Sequence, residues 1–265
     1  MEVCYRHPKR ETGVRCSNCE RPICPDCMTS TPVGMRCPEC ANQRTRVRTM
    51  QARTDEPTLT YILIGINVIA GLGALYGGNV GTEGGTLTDA WAISRADIAA
   101  GDYWRILTNG FVHVGIFHLA FNMLALWILG TLLEPALGRL RFGLVYFVSL
   151  LCGSLGVLLL SDASSAGASG AVFGLMGCAL VLFRARGFSL LESGLGIWLG
   201  LNLLITFTIP SISIGAHIGG LIGGLIATFV LVELGEKGRV PMRAAELVCA
   251  AIGVAAVAAS IAAYG

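Results

Sequence analysis

Seven apolar runs follow one another from residue 58 onward, near 59–77, 111–132, 142–160, 169–185, 194–210, 214–233 and 244–263. A helix needs about 20 mostly apolar residues to cross the hydrocarbon core of a bilayer, and each run is close to that length. They predict seven membrane helices. Before residue 58 the pattern reverses: residues 1–53 carry ten of the nineteen Lys and Arg, and no apolar run. The pattern divides the chain into a polar head at 1–42, a basic linker at 43–57, a six-span core at 58–235, and a loop with a seventh span at 236–265.

Composition agrees with this division. Hydrophobic residues make up 54% of the chain and charged residues 14%, where a soluble domain carries roughly a quarter charged. A soluble globular protein is excluded. The amino terminus is charged and rich in Cys and His, without the apolar stretch and cleavage site of a signal peptide, so the head is expected to stay attached. With the head inside, Arg139, Arg141, Arg184, Arg186, Lys237, Arg239 and Arg243 also fall on the inner side, and only Arg95 and Arg105 lie outside. That asymmetry satisfies the positive-inside rule. It places the amino terminus in the cytoplasm and the carboxyl terminus on the outer side of a membrane, expected to be a bacterial plasma membrane. The outer segment 78–110 is long and holds Trp91, Tyr103 and Trp104, so part of it is expected to lie in the interface.

The head presents four ligand pairs: Cys4 and His7, Cys16 and Cys19, Cys24 and Cys27, Cys37 and Cys40, each at x2 spacing. Eight ligands suit two closed tetrahedral zinc sites, and so short a segment has too little apolar sequence to fold without cross-links. A disulfide framework is the alternative, disfavoured on the reducing cytoplasmic side. The order of pairs resembles a B-box-type zinc finger over residues 4–40. That resemblance implies a cross-braced grouping, with Cys4, His7, Cys24 and Cys27 on one ion and Cys16, Cys19, Cys37 and Cys40 on the other. A Cys pair at the fourth position departs from the family, whose last pair usually includes a His, and sequential pairing stays open. Both zinc ions are expected to be structural, the head offering a surface to a cytoplasmic protein partner or to anionic lipid headgroups. The four Arg between Arg44 and Arg53 favour such headgroups; no nucleic-acid partner is expected. Cys152, Cys178 and Cys249 sit singly in apolar runs and read as small core residues.

Chemistry concentrates in three spans. The fourth begins Gly167-Ala168-Ser169-Gly170, a Ser among small residues at the outer amino terminus of a helix, where the dipole favours negative charge. Seen alone, such a Ser is equally a packing residue. The sixth carries His217 at similar depth, with Gly215/Gly219/Gly223 and Gly220/Gly224 forming faces for close helix approach. A His at lipid depth needs a partner, and Ser169 is the best one. The second span places His118 and Asn122 at i, i+4 on one face near the outer end; with the Ser169 N–H they could form an oxyanion hole. No Asp or Glu lies near His217 in the spans, which argues for a Ser-His dyad.

Together His118-x3-Asn122, Gly167-x-Ser169-Gly170, Ala216-His217-x2-Gly219-Gly220 and Tyr103-Trp104-Arg105 resemble the rhomboid family over roughly residues 58–235. The resemblance implies an all-α membrane fold, a rhomboid-like six-helix bundle plus a seventh, peripheral C-terminal transmembrane helix, behind a small cytoplasmic zinc-binding domain. It implies Ser169 as nucleophile, His217 as general base and then acid, His118 and Asn122 as oxyanion donors, and Arg105 and Glu134 as structural supports. It also implies Phe173 stacked on the catalytic His, where the family often has Tyr, and His113 near the mouth of the site. The implied activity is intramembrane endoproteolysis, through an acyl-enzyme and without a catalytic cofactor, of single-pass or multi-pass transmembrane substrates near the outer face. The alternative is a catalytically silent membrane adaptor that binds transmembrane helices and recruits a partner through the zinc head. Paired carboxylates for ion coupling and a His-Glu-x2-His motif are both missing from the sequence, which disfavours a transporter and a metalloprotease.

Overall fold

The computed structural model describes residues 2–42, 56–76, 86–187, 194–209 and 212–265, and the chain separates into two compact units, Met1–Ala52 and Arg53–Gly265. The basic neck from Arg44 to Arg53 lies outside the described residues.

The first unit is built on two antiparallel hairpins, β1 (Glu2–Val3) with β2 (Glu11–Thr12) and β3 (Thr29–Thr31) with β4 (Gly34–Arg36), followed by the single turn α1 (Pro38–Ala41). Its buried cluster consists of six cysteines and Ile23. One aliphatic side chain cannot offset the entropy of ordering some 40 residues, each costing about 1–2 kcal/mol in backbone freedom alone. The cysteines must do more than fill space.

The second unit is helical. It begins with α2 (Thr58–Tyr76) and continues through three short helices, α3 (Leu87–Trp91), α4 (Arg95–Ala99) and α5 (Arg105–Thr108). Then come α6 (Ile116–Leu137), α7 (Arg139–Leu160), α8 (Ser169–Ala185), α9 (Leu195–Thr208), α10 (Ile214–Phe229, prolonged by the π-helical turn Val230–Glu236) and α11 (Met242–Tyr264). Four of these, α6, α7, α10 with its extension, and α11, are long and apolar enough to cross a membrane, and shorter apolar helices accompany them. Their outer surfaces stay apolar: Phe117, Phe121, Ile69, Ile197 and Leu247 are each at least two-thirds exposed, as lipid-facing side chains are.

The second apolar run begins later than its hydropathy suggests. Residues 109–111 form a 3-10 turn and Gly115 adopts φ +89°, so α6 starts at Ile116 rather than at residue 111. The described part of the outer segment folds into α3, α4 and α5, with Tyr103 and Trp104 exposed. Thr86 and Asp89 close a reciprocal capping box on α3.

Glycine sets the packing at the centre. The Gly215/Gly219 face of α10 lies against α7, where an added Cβ would fall on the carbonyls of Gly156 and Cys152. The Gly220/Gly224 face lies against α8, on the carbonyls of Gly170 and Gly174. The two glycine rows therefore serve two different partners, and α10 is clasped between them. Helix α11 packs on the outside of α7, through Gly253 beside Leu151 and Val148. Near its start Glu246 is tied to Arg141 at 3.0 Å, and at its far end Arg95 lies 5.3 Å over the Tyr264 ring.

Candidate active site and metal clusters

Helix α8 has 17 residues, a rise of about 26 Å, less than the roughly 30 Å of a hydrocarbon core. The chain reaches its start from the end of α7 through residues 161–168, and four contacts fix that descent. Ile93 and Ser165 exchange two backbone hydrogen bonds of 2.9 Å, the Gly167 N–H donates to the Asn109 carbonyl at 2.8 Å, and the Ala168 N–H donates to His113 Nε2 at 3.3 Å. Asn109 is anchored in turn, its amide donating to Arg105 O, Ile106 O and Ser154 Oγ. Gly167 has φ +135° and lies against the His118 ring, where a Cβ would come within 2.7 Å of Cε1. Glycine is required there twice over, by conformation and by space.

Ser169 is the first residue of α8, where the backbone N–H groups of the opening turn lack intrahelical acceptors. It lines a cavity of about 550 Å³ shared with His118 and Asn122 of α6, Phe173 of α8, Asn202 and Thr206 of α9, and His217 of α10. The four candidate catalytic and oxyanion residues thus line one cavity from three helices. His217 is 7% exposed, with Phe173 stacked on its ring at 4.0 Å between centroids and 17° between planes. His118 is half-buried and edge-on to His113 at 5.1 Å. The Asn122 amide donates to the His118 carbonyl at 2.9 Å, which leaves its second N–H for the cavity.

His113, which the resemblance puts near the mouth of the site, lies edge-on to the cavity-lining His118. It falls in the turn before α6, is 2% exposed, and does not line the cavity; its ring instead holds the Ala168 N–H one residue before Ser169. Arg105 braces the outer segment, donating to Asp102 at 2.9 Å and to the carbonyls of Asp89 and Ala92 at 2.6 and 2.9 Å. Glu134, wholly buried, accepts from the N–H groups of Leu59 and Thr60 and from the Thr60 hydroxyl at 2.7–2.9 Å. It caps the first turn of α2, as carboxylates do at helix starts.

Thr206 was not a sequence candidate. Its Oγ1 lies 2.7 Å from His217 Nδ1 and 2.8 Å from the Asn202 carbonyl. A lone Thr in an apolar run carries no signal of such a contact; only the packing of α9 on α10 reveals it.

In the first unit Cys4, His7, Cys24 and Cys27 form one cluster and Cys16, Cys19, Cys37 and Cys40 another, the ligand atoms of each lying within 4.8 Å of one another. The pairs interleave, first with third and second with fourth. A tetrahedral zinc ion with Zn–S near 2.3 Å and Zn–N near 2.0 Å separates its ligands by about 3.5–3.8 Å. Cys19 and Cys37 sulfurs are 3.8 Å apart, and His7 Nδ1 lies 3.3–3.8 Å from Cys4, Cys24 and Cys27. The residues present fit a metal ion. Around the second cluster the Cys37 N–H points at Cys16 Sγ and the Asn18 amide at Cys40 Sγ, both at 3.3 Å, the outer contacts that orient metal ligands.

A helical membrane bundle with a short, buried-start helix and a Ser/His-lined cavity defines an integral membrane protein with a candidate hydrolytic site. Residues 100–234 match the Rhomboid domain family, and the chain belongs to the rhomboid family. It is similar to Rhomboid protease GluP of Bacillus subtilis (strain 168), 39% identical over 204 residues, which cover 75% of this chain and 40% of that protein. Putative rhomboid protease YdcA of the same organism is 37% identical over 145 residues, 53% of this chain and 73% of YdcA. RHOMBOID-like protein 7 of Arabidopsis thaliana is 38% identical over 134 residues, 48% of this chain and 42% of that relative. The chain thus spans well under half the length of two of these three.

Proposed function

We propose that this protein is an intramembrane serine endopeptidase in which Ser169 and His217 act as a dyad on transmembrane substrates. The observation that carries the reading is convergence: Ser169, His217, His118 and Asn122 line one cavity although they come from three helices separated in sequence. Ser169 Oγ attacks the scissile carbonyl while its proton passes to His217 Nε2. The oxyanion is met by the Ser169 N–H, the free Asn122 N–H and His118, donors aimed where charge develops. The His217 imidazolium returns its proton to the leaving amine, and water then hydrolyses the acyl-enzyme by the same route in reverse roles. Phe173 holds the His217 ring plane.

The short α8 favours a nucleophile set below the membrane surface, near the outer face once the amino terminus is placed inside by the distribution of Lys and Arg. A substrate helix must fray to present an extended peptide there, because a closed helix hides its carbonyls. Two structural zinc ions hold the B-box-like head, which is left free to meet a cytoplasmic partner or anionic headgroups.

Purified protein incubated with a model transmembrane substrate in detergent is expected to cleave it, and Ser169→Ala and His217→Ala to abolish cleavage. Undiminished cleavage by Ser169→Ala would overturn the dyad. Substrate binding without cleavage by the unaltered protein would favour the adaptor instead.

A further inference from the structure

We infer that Thr206 is a positioning residue for His217, which makes the catalytic arrangement a Ser-His-Thr relay. The inference rests on the dyad reading above. Among the described residues of α9 whose side chains are placed, only Leu199 and Thr206 are buried, at 8% and 1% exposure. Ile197, Leu201, Leu204 and Phe207 are turned outward, while Trp198 and Leu203 are partly buried against the core. A helix so lightly embedded commits its one buried polar side chain to the His217 ring.

The hydrogen positions follow from the partners. A carbonyl can only accept, so the 2.8 Å contact between Thr206 Oγ1 and the Asn202 carbonyl is made by the Thr206 hydroxyl hydrogen. That is its only hydrogen. With that hydrogen given to the carbonyl, the hydroxyl oxygen 2.7 Å from His217 Nδ1 is left to accept, and the inferred tautomer carries its proton on Nδ1. The neutral ring then has its Nε2 unprotonated, the tautomer a general base needs, in a cavity that His217 lines together with Ser169. The partner on the second nitrogen decides which tautomer exists. With Phe173 fixing the ring plane from α8 and Thr206 fixing its rotation from α9, His217 is held on both remaining degrees of freedom.

This arrangement differs from a carboxylate triad in carrying no charge. A neutral hydroxyl selects the tautomer without placing an anion at lipid depth, where an ionised carboxylate would be costly. It also joins the site to α9: any displacement of that helix withdraws the acceptor from Nδ1.

The test compares the full-length protein with Thr206→Val, which keeps the shape and loses the hydroxyl, and Thr206→Ser, which keeps the hydroxyl. In detergent, Thr206→Val is expected to lower kcat about tenfold, the worth of one hydrogen bond, with KM within about twofold. Thr206→Ser is expected to recover most of the rate. Nitrogen-15 spectra of histidine-labelled protein should show His217 as a single Nδ1–H tautomer, mixed in Thr206→Val. A wild-type spectrum with the proton on Nε2 overturns the inference without any variant. So does a Thr206→Val enzyme at full kcat, or a Thr206→Ser enzyme as slow as Thr206→Val. Ser169→Ala, run alongside, separates the two levels. Cleavage by Ser169→Ala removes the dyad itself, whereas its loss together with a fully active Thr206→Val removes only the relay.

Discussion

The two units of this chain hold together by opposite means. In the head, eight ligand atoms are gathered in two knots, and the buried cluster offers one aliphatic side chain beside the cysteines. In the membrane unit cohesion is spread along helices that touch backbone to backbone through glycine, without any single indispensable contact between α7, α8 and α10. The head thus depends on its two clusters of ligand groups, and the bundle on shape. The contrast teaches that the polar groups lining the candidate site are not the groups that bring α7, α8 and α10 together.

The largest effect expected from that contrast is on chemistry without structure. Ser169→Ala should abolish cleavage while leaving the thermal unfolding of the detergent-solubilised protein within about 1 °C, because the change removes one half-buried hydroxyl. Next comes metal. A strong chelator should release two zinc ions per chain, measured by metal analysis, and collapse amide exchange protection in residues 2–42, because binding free energy is folding free energy in such modules. Cleavage of a transmembrane substrate in detergent should persist. Loss of cleavage in step with zinc would mean that the two units are not independent.

A smaller effect is expected from shape. Gly220→Ala or Gly224→Ala places a methyl group on a carbonyl of α8, an overpacking that typically costs about 1–3 kcal/mol, read as a lower unfolding temperature. Because Gly220 is three residues beyond His217, its variant should lose activity as well, whereas Gly253→Ala, facing only the side chains of Leu151 and Val148 at 3.3 Å or more, should change little. Smallest is a pH effect at the edge of the bundle. Asp89 is held below the usual carboxylate range, first by the Thr86 N–H and then by its hydroxyl. A depressed folded-state value means that this support is fully present above about pH 4 and is lost as pH falls through the folded value. Protection of the amides at the start of α3, corrected for the intrinsic pH dependence of exchange, should therefore fall as pH drops below about 4, and Asp89→Ala should remove that dependence.

Much of this was legible in the sequence, because short-range spacing and hydropathy carry it. The apolar runs locate the helices, x2 spacing locates the ligand pairs, and the two glycine rows announce a helix packed on two sides. Where sequence failed, the cause was local geometry or distance. The start of α6 was masked by the mostly apolar residues 111–116, where an extended Val112 and the positive φ of Gly115 keep the chain out of the helix. The same break takes His113 off the helix and into the support of Ala168. Thr206 was invisible because its partner lies across a turn on another helix, and its residue type is ordinary in an apolar run. Glu134 could be guessed as a support, but not that it caps α2, since the groups it binds are 74 and 75 residues away.

That last contact bears on how the protein is made. Helix α2 leaves the ribosome well before Glu134, so the polar groups of its first turn enter the bilayer region without their acceptor. Until α6 arrives, the amides of Leu59 and Thr60 depend on water or headgroups, and α2 stays free to tilt and slide. Glu134 supplies those acceptors from α6, so the first turn of α2 has its cap only once the two helices have met.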